Sequence, residues 1–167
     1  MLAALRAVGA MTKSAYDAEI ARTAARWLAR VTPSTKNFVW IYAYANPADT
    51  AEDAAAALAA EASFQPVPRF KPLSLADEAI GRAYRFGGRT DDAIVALGRA
   101  ASSCFPLDHP IEHTRAHFEL GMAREAKGDL AGACDAYAVV AKRWGKAKPR
   151  SVTFGKARAR MAALNCK

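Results

Sequence analysis

Residues 78–106 read EAIGRAYRFGGRTDDAIVALGRAASSCFP, and residues 118–145 read FELGMAREAKGDLAGACDAYAVVAKRWG. At an offset of 40 residues, glycine meets glycine and small or apolar residues meet their like. The matched positions are Ile80 with Leu120, Gly81 with Gly121, Gly88 with Gly128, Ala93 with Ala133, and Leu97 with Tyr137. Self-similarity on this scale is typical of stacked helix pairs. The sequence therefore predicts an all-α fold.

A third, weaker copy lies upstream, where residues 38–66 read FVWIYAYANPADTAEDAAAALAAEASFQP. Ile41, Ala54 and Leu58 take the places of Ile80, Ala93 and Leu97 at an offset of 39. Tyr42 stands where the two better copies have glycine. We therefore expect three helix pairs, of which the first is degenerate.

Each copy carries the residues that a tight helix pair needs. Gly81 and Gly121 permit close approach of the second helix, and Gly88 and Gly128 provide the positive φ at which the first helix ends. The predicted N-caps of the second helices are Thr50, Thr90 and Asp129. Proline-rich stretches, FQPVPRFKPLS and CFPLDHP, then separate one pair from the next.

The middle copy resembles the tetratricopeptide repeat, with Gly81, Tyr84, Ala93 and Pro106 at the signature positions of that family. The resemblance implies an α-solenoid of about three antiparallel helix pairs. Residues 70–167 also resemble the C-terminal repeat region of some bacterial eukaryotic-like serine/threonine protein kinases. This second resemblance implies a regulatory or scaffolding region of a signalling protein. The sequence contains no VAIK, HRD or DFG motif, so it holds no kinase domain.

We expect one helical-repeat domain over residues 1–167. Its parts are N-terminal helices at 1–33, a degenerate repeat at 35–66, repeats at 74–106 and 110–145, and a C-terminal capping helix at 149–165. In the N-terminal part, one helical stripe carries Ile20, Ala24, Trp27, Leu28 and Val31. That stripe predicts a helix packed over the first pair.

The net charge of +8 is concentrated at the C-terminal end, because residues 142–167 hold nine Lys and Arg and no acid. The predicted basic patch consists of Lys156, Arg158 and Arg160. An apolar seam crosses the same segment at Phe154, Ala157, Met161 and Leu164. The favoured interpretation is a capping helix with a solvated face. The alternative is a surface that binds nucleic acid or another polyanion.

The first helices of stacked pairs are expected to line a concave groove. Its predicted partner-binding residues are Arg82, Arg85, Arg115, Phe118 and Met122. Arginine suits carboxylates or phosphates, and apolar neighbours suit a peptide anchor. We therefore predict a protein-interaction module that binds a protein or an acidic peptide. The sequence favours this over nucleic-acid binding, because only Trp144 and Phe154 in the basic segment offer rings for base stacking.

All three histidines fall in one stretch, as His109, His113 and His117. The HxxxH spacing suits a metal, but no HExxH glutamate is present, so a structural or surface cluster is favoured over a metal site. No Ser/His/Asp or Cys/His arrangement stands out. The sequence therefore predicts no enzyme activity, no bound metal and no cofactor.

Three cysteines, Cys104, Cys134 and Cys166, form no CxxC motif. Their odd number favours reduced thiols in a cytoplasmic protein, with Cys104 and Cys134 buried and close together. Arg6 interrupts the apolar N-terminus, which argues against a signal peptide. No apolar run approaches the ~20 residues of a membrane span.

Overall fold

The computed structural model describes residues 5–6, 8–65, 74–104 and 106–166. Over these ranges the protein is all-helical, with eight α-helices and no strand. The expected all-α class is therefore confirmed. The proline-rich link at 66–73 lies outside the described residues.

The N-terminal half contains three α-helices. Helix α1 spans Lys13–Leu28, and a 3₁₀ turn at Pro33–Thr35 leads into α2 at Lys36–Val39. Helix α2 continues as a π-helix over Trp40–Ala45. Helix α3 spans Ala51–Glu61 and ends in a 3₁₀ turn at Ala62–Phe64. The π-helix occurs in the copy that has Tyr42 in place of glycine, so the degenerate repeat also departs from α-helical geometry.

The C-terminal half contains five α-helices, α4 to α8. Their bounds are Ser74–Phe86, Thr90–Ala101, Pro110–Lys127, Leu130–Trp144 and Val152–Ala163. Helix α4 packs on α5 and on α6, α6 packs on α5 and α7, and α8 packs mainly on α7. The first helices of the two better copies, α4 and α6, therefore lie side by side.

Most predicted helix ends are confirmed. Gly88 and Gly128 have φ of 78° and 86° at the turns after α4 and α6. Thr50 accepts a hydrogen bond from the Asp53 amide, and Asp129 accepts one from Gly132. The prediction for Thr90 is wrong. It is the first residue of α5, and Arg89 precedes it without a side-chain capping bond.

Gly81 and Gly121 occupy matching environments at the crossings of the two better pairs. A Cβ added to Gly81 would lie 2.5 Å from Leu97 Cγ, and one added to Gly121 would lie 2.4 Å from Tyr137 Cε1. Leu97 and Tyr137 are themselves matched at the 40-residue offset, and both are fully buried. The two glycines therefore let equivalent helices approach closely.

Substituting alanine at these crossings tests the close approach. Gly81→Ala and Gly121→Ala are each expected to lower the free energy of unfolding by about 1–3 kcal/mol, because the added methyl overpacks a buried contact. Gly98→Ala and Gly155→Ala are matched controls, since no atom lies within 4 Å of a Cβ added at either helical position. These controls should gain about 0.5–1 kcal/mol from helix propensity. Chemical denaturation of the four variants measures the change in the free energy of unfolding. An increase in all four variants would contradict the close packing at Gly81 and Gly121.

Two hydrophobic clusters form the core. The larger cluster contains residues from the helices α1 through α7 and centres on Trp40, Ile41 and Leu97. The smaller cluster contains residues from α6, α7 and α8 and centres on Tyr137 and Ala157. The predicted seam of α8 packs in the smaller cluster through Phe154, Ala157, Met161 and Leu164. Helix α8 therefore covers the outer side of the last pair.

The predicted stripe of α1 is only partly correct. Ala24 is buried, but Trp27 and Leu28 remain 39% and 42% exposed. Helix α1 ends at Leu28. The last turn of α1 therefore leaves its two large apolar side chains partly exposed.

Candidate functional site

A pocket of about 240 Å³ lies where α4, α6 and α8 meet. We call it the arginine pocket. It is lined by Asp49, Arg82, Phe86, Arg115, Phe118, Glu119, Thr153 and Lys156. Helix α8 thus adds its Lys156 to three of the residues that the sequence placed in the groove. The basic segment and the groove are not separate surfaces.

Arg82 forms the inner wall of the arginine pocket. It is only 5% exposed, and its Nη1 donates to Asp49 Oδ1 at 2.6 Å while Nη2 donates to the Asn46 carbonyl. The sequence predicts Arg82 as a partner-binding residue of the groove, and its side chain does line the pocket. The Asp49 carboxylate pairs with the Arg82 guanidinium, so Arg82 forms part of the pocket wall.

Arg115 and Lys156 are the accessible cations of the arginine pocket. The Arg115 side chain is about one-third exposed, and its Nη2 lies 3.1 Å from Glu78 Oε1. Lys156 is exposed and has no ion-pair partner among the described residues. An incoming anion would therefore meet these two side chains first.

The apolar part of the pocket comes from two phenylalanines. Phe118 is 8% exposed and packs on the ring of Tyr137, with 6.0 Å between centroids. Phe86 lies opposite the guanidinium of Arg85, whose Cζ is 4.1 Å from the ring centroid. Met122, predicted to share the groove with Phe118, is partly buried and packs against the core cluster that contains Phe118.

Arg85, predicted to bind a partner, makes an ion pair within the protein. Its Nε donates to Glu119 Oε2 at 2.5 Å, which links α4 to α6 beside the pocket. The pair neutralises Glu119, one of the two acids that line the pocket. Asp49, the other acid, is neutralised by Arg82. Arg115 is also paired, with Glu78, so among the described lining residues Lys156 is the cation without an ion pair.

The predicted basic patch is divided among three environments. Lys156 lines the arginine pocket. Arg158 is exposed, with its guanidinium 5.9 Å from the centroid of the Phe154 ring. Arg160 forms an ion pair with Glu125 of α6. Because Glu125 neutralises the charge of Arg160, the patch carries less positive charge than its sequence suggests.

A second pocket, of about 250 Å³, lies between α1, the π-helix and α3, and no sequence pattern predicts it. Tyr16 closes one side, with its hydroxyl donating to the Pro47 carbonyl at 3.2 Å. Burial raises the pKa of Tyr16 to about 12. Arg6 stacks on the Tyr16 ring and pairs with Asp53. Tyr16 and Asp53, two of the polar residues that line this pocket, therefore already have partners within the protein.

The predicted histidine cluster contacts the guanidinium of Arg143. The rings of His113 and His117 lie 5.1 Å apart, and Arg143 Nη1 lies 2.9 Å from His113 Nδ1. Burial, together with repulsion from His113, Arg143 and Arg124, lowers the pKa of His117 to about 4. The same causes, burial and then Arg143, lower the pKa of His113. Folding therefore favours the neutral form of both rings.

Acid is expected to destabilise the protein through His117. A histidine whose pKa falls from 6.5 to about 4 on folding binds its proton more weakly in the folded state. Its contribution to stability is therefore full above about pH 6.5 and is lost as the pH falls toward 4, by at most about 3 kcal/mol. Denaturation curves across this range should show a smaller slope for His117→Phe than for the wild type. His109→Asn is the control, and a slope unchanged in His117→Phe would contradict the prediction.

The cysteine prediction is wrong in two respects. Cys134 of α7 and Cys166 after α8 form a disulfide, with 5.5 Å between their Cα atoms. Cys104 is exposed instead of buried beside Cys134. Helix α8 folds back along α7, which brings the chain end to Cys134. The disulfide removes the cysteine argument for a reducing compartment.

Comparisons with protein-family models, curated proteins and solved structures find no match to the chain. Within the described ranges, no helix has both the length and the apolar character needed to span a bilayer. The described residues also contain no group of three or more His, Cys, Asp or Glu side chains placed to hold a metal. Four of the eight predicted site residues, Arg82, Arg115, Phe118 and Lys156, line the arginine pocket.

Proposed function

We propose that the chain is a non-catalytic protein-interaction module and that the arginine pocket binds an acidic segment of a partner protein. The observation that carries the proposal is the convergence of Arg82, Arg115, Phe118 and Lys156 from α4, α6 and α8 on one pocket. Accessible cations beside aromatic rings suit an acidic residue next to an apolar one.

The matched packing at Gly81 and Gly121 supports an arrangement of stacked pairs like that of the tetratricopeptide repeat. In such an arrangement the first helices share one surface, on which a peptide lies. The resemblance of residues 70–167 to the repeat region of bacterial kinases supports a place in a signalling protein. We propose that role on the resemblance alone.

Peptide binding tests the proposed function directly. The probe is a fluorescein-labelled acetyl-Glu-Glu-Phe-Glu-Glu-amide, followed by fluorescence anisotropy, and its neutral control has glutamine in place of each glutamate. The acidic probe is expected to bind, and Arg115→Gln or Lys156→Gln should weaken it about tenfold, the loss of one charge-assisted contact of about 1.4 kcal/mol. Lys142→Gln, an exposed lysine outside the pocket, should bind as the wild type does. Equal binding of the two peptides would refute the proposal.

The rival function, nucleic-acid binding through the basic patch, predicts another pattern. Labelled single-stranded DNA would bind with strong salt dependence, and neutralising Lys156, Arg158 and Arg160 together would abolish binding. This rival would be favoured if the wild type bound DNA but not the peptide, and if the neutralised variant lost DNA binding. The Arg160–Glu125 ion pair argues against it, because that cation is already neutralised.

A further inference from the structure

Glu78 is a buried carboxylate directly behind the arginine pocket. It lies on α4 and is 1% exposed. Its Oε1 is 3.1 Å from Arg115 Nη2 and 3.5 Å from Arg82 Nε, but neither approach has hydrogen-bond geometry. Within the described structure, Glu78 Oε1 and Arg82 Nε thus remain buried without hydrogen bonds. Such atoms are rare in folded proteins and call for an explanation.

Burial and the two arginines that line the pocket act on the Glu78 carboxyl in opposite directions. Burial raises the pKa of Glu78, and Arg82 and Arg115 oppose that rise. Two further acids of α6, Glu119 and Glu112, add repulsion. The charged groups around Glu78 and the pocket are Arg82 on α4, Arg115, Glu112 and Glu119 on α6, Asp49 before α3, and Lys156 on α8. Arg115 is the accessible member of the two stabilising cations.

We propose that Glu78 takes up a proton when an anionic segment binds the arginine pocket, so that the pocket binds its partner more tightly as the pH falls. The inference rests on the proposed function, because it concerns the regulation of the same pocket. It assigns to Glu78 the role of a proton acceptor that is coupled to the pocket through Arg115.

Two physical effects drive the proton uptake in the same direction. A bound carboxylate attracts the Arg115 guanidinium toward the mouth of the pocket and away from Glu78. The bound anion also places a second negative charge close to Glu78. Loss of a cation and gain of an anion both favour the neutral acid in a buried site. Proton uptake relieves the buried charge, and by linkage a lower pH must then strengthen peptide binding.

The test measures the affinity of acetyl-Glu-Glu-Phe-Glu-Glu-amide from about pH 8 to about pH 5.5, a range in which exposed peptide carboxylates stay ionised. Wild-type affinity is expected to rise with falling pH, by up to about tenfold per pH unit where one full proton is coupled. Calorimetry in buffers of different ionisation enthalpy should show proton uptake on binding. Glu78→Gln should lose both effects. It retains all three histidines, so the difference from the wild type isolates Glu78.

A measurement on the wild type keeps the proposal falsifiable even where Glu78→Gln does not fold. Carbon-13 NMR of the Glu78 carboxyl should show its pKa rising when the peptide is added. An unchanged Glu78 pKa, or binding without pH dependence, refutes this inference and leaves the proposed function standing. A peptide that fails to bind at every pH refutes the proposed function and this inference with it.

Discussion

Replacing Trp40 with alanine is expected to lower the free energy of unfolding by about 3–5 kcal/mol, the range for truncating a large aromatic side chain in a core. Trp40 is fully buried at the start of the π-helix. Its Nε1 donates to the Ala57 carbonyl at 2.7 Å, and its ring lies 6.3 Å from that of Tyr84. One side chain therefore joins the π-helix to α3 and to α4.

Two further substitutions separate the parts of this effect. Trp40→Phe keeps most of the apolar volume but loses the N–H donor, so it should cost roughly 1–3 kcal/mol. Trp27→Ala removes the same type of side chain from the exposed end of α1 and should cost about 1 kcal/mol or less. Urea denaturation followed by circular dichroism gives all three values. Equal losses at Trp40 and Trp27 would show that the core is not organised around Trp40.

The parts of the fold that the sequence predicts well are those fixed by local patterns. Gly88 and Gly128 end their helices because a positive φ excludes most other residues. The seam of α8 follows from its helical spacing alone. The contacts of Gly81 and Gly121 were also predictable, because the second helix of a tight pair must cross the first where the smallest residue stands.

The parts that the sequence does not predict depend on residues far apart along the chain. Arg82 pairs with Asp49, 33 residues earlier, so its burial follows from how α4 meets the loop before α3. Lys156 joins the arginine pocket only because α8 folds back over α6 and α7. The π-helix at Trp40–Ala45 has no distinct periodic signature, and an aromatic-rich segment of that length fits an α-helix equally well.

Adding a dithiol reductant is expected to lower the free energy of unfolding by about 3–4 kcal/mol. The Cys134–Cys166 disulfide closes a loop of 32 residues, and the chain-entropy relation assigns a stabilisation of that size to such a loop. The reductant breaks the sulfur–sulfur bond by two-electron reduction to two thiols and is itself oxidised to a disulfide. The unfolded chain then regains the freedom that the cross-link removed.

Matched cysteine variants assign the effect to this bond. Cys166→Ser should show the lower stability with or without reductant, whereas Cys104→Ser should respond to reductant as the wild type does, because Cys104 is exposed and outside the disulfide. Titration of native thiols should find one reactive group before reduction. Helix α8 keeps its apolar seam and its Arg160–Glu125 ion pair without the disulfide, so reduction should destabilise the fold without unfolding it. Three reactive thiols in the untreated protein, with no response to reductant, would refute the cross-link.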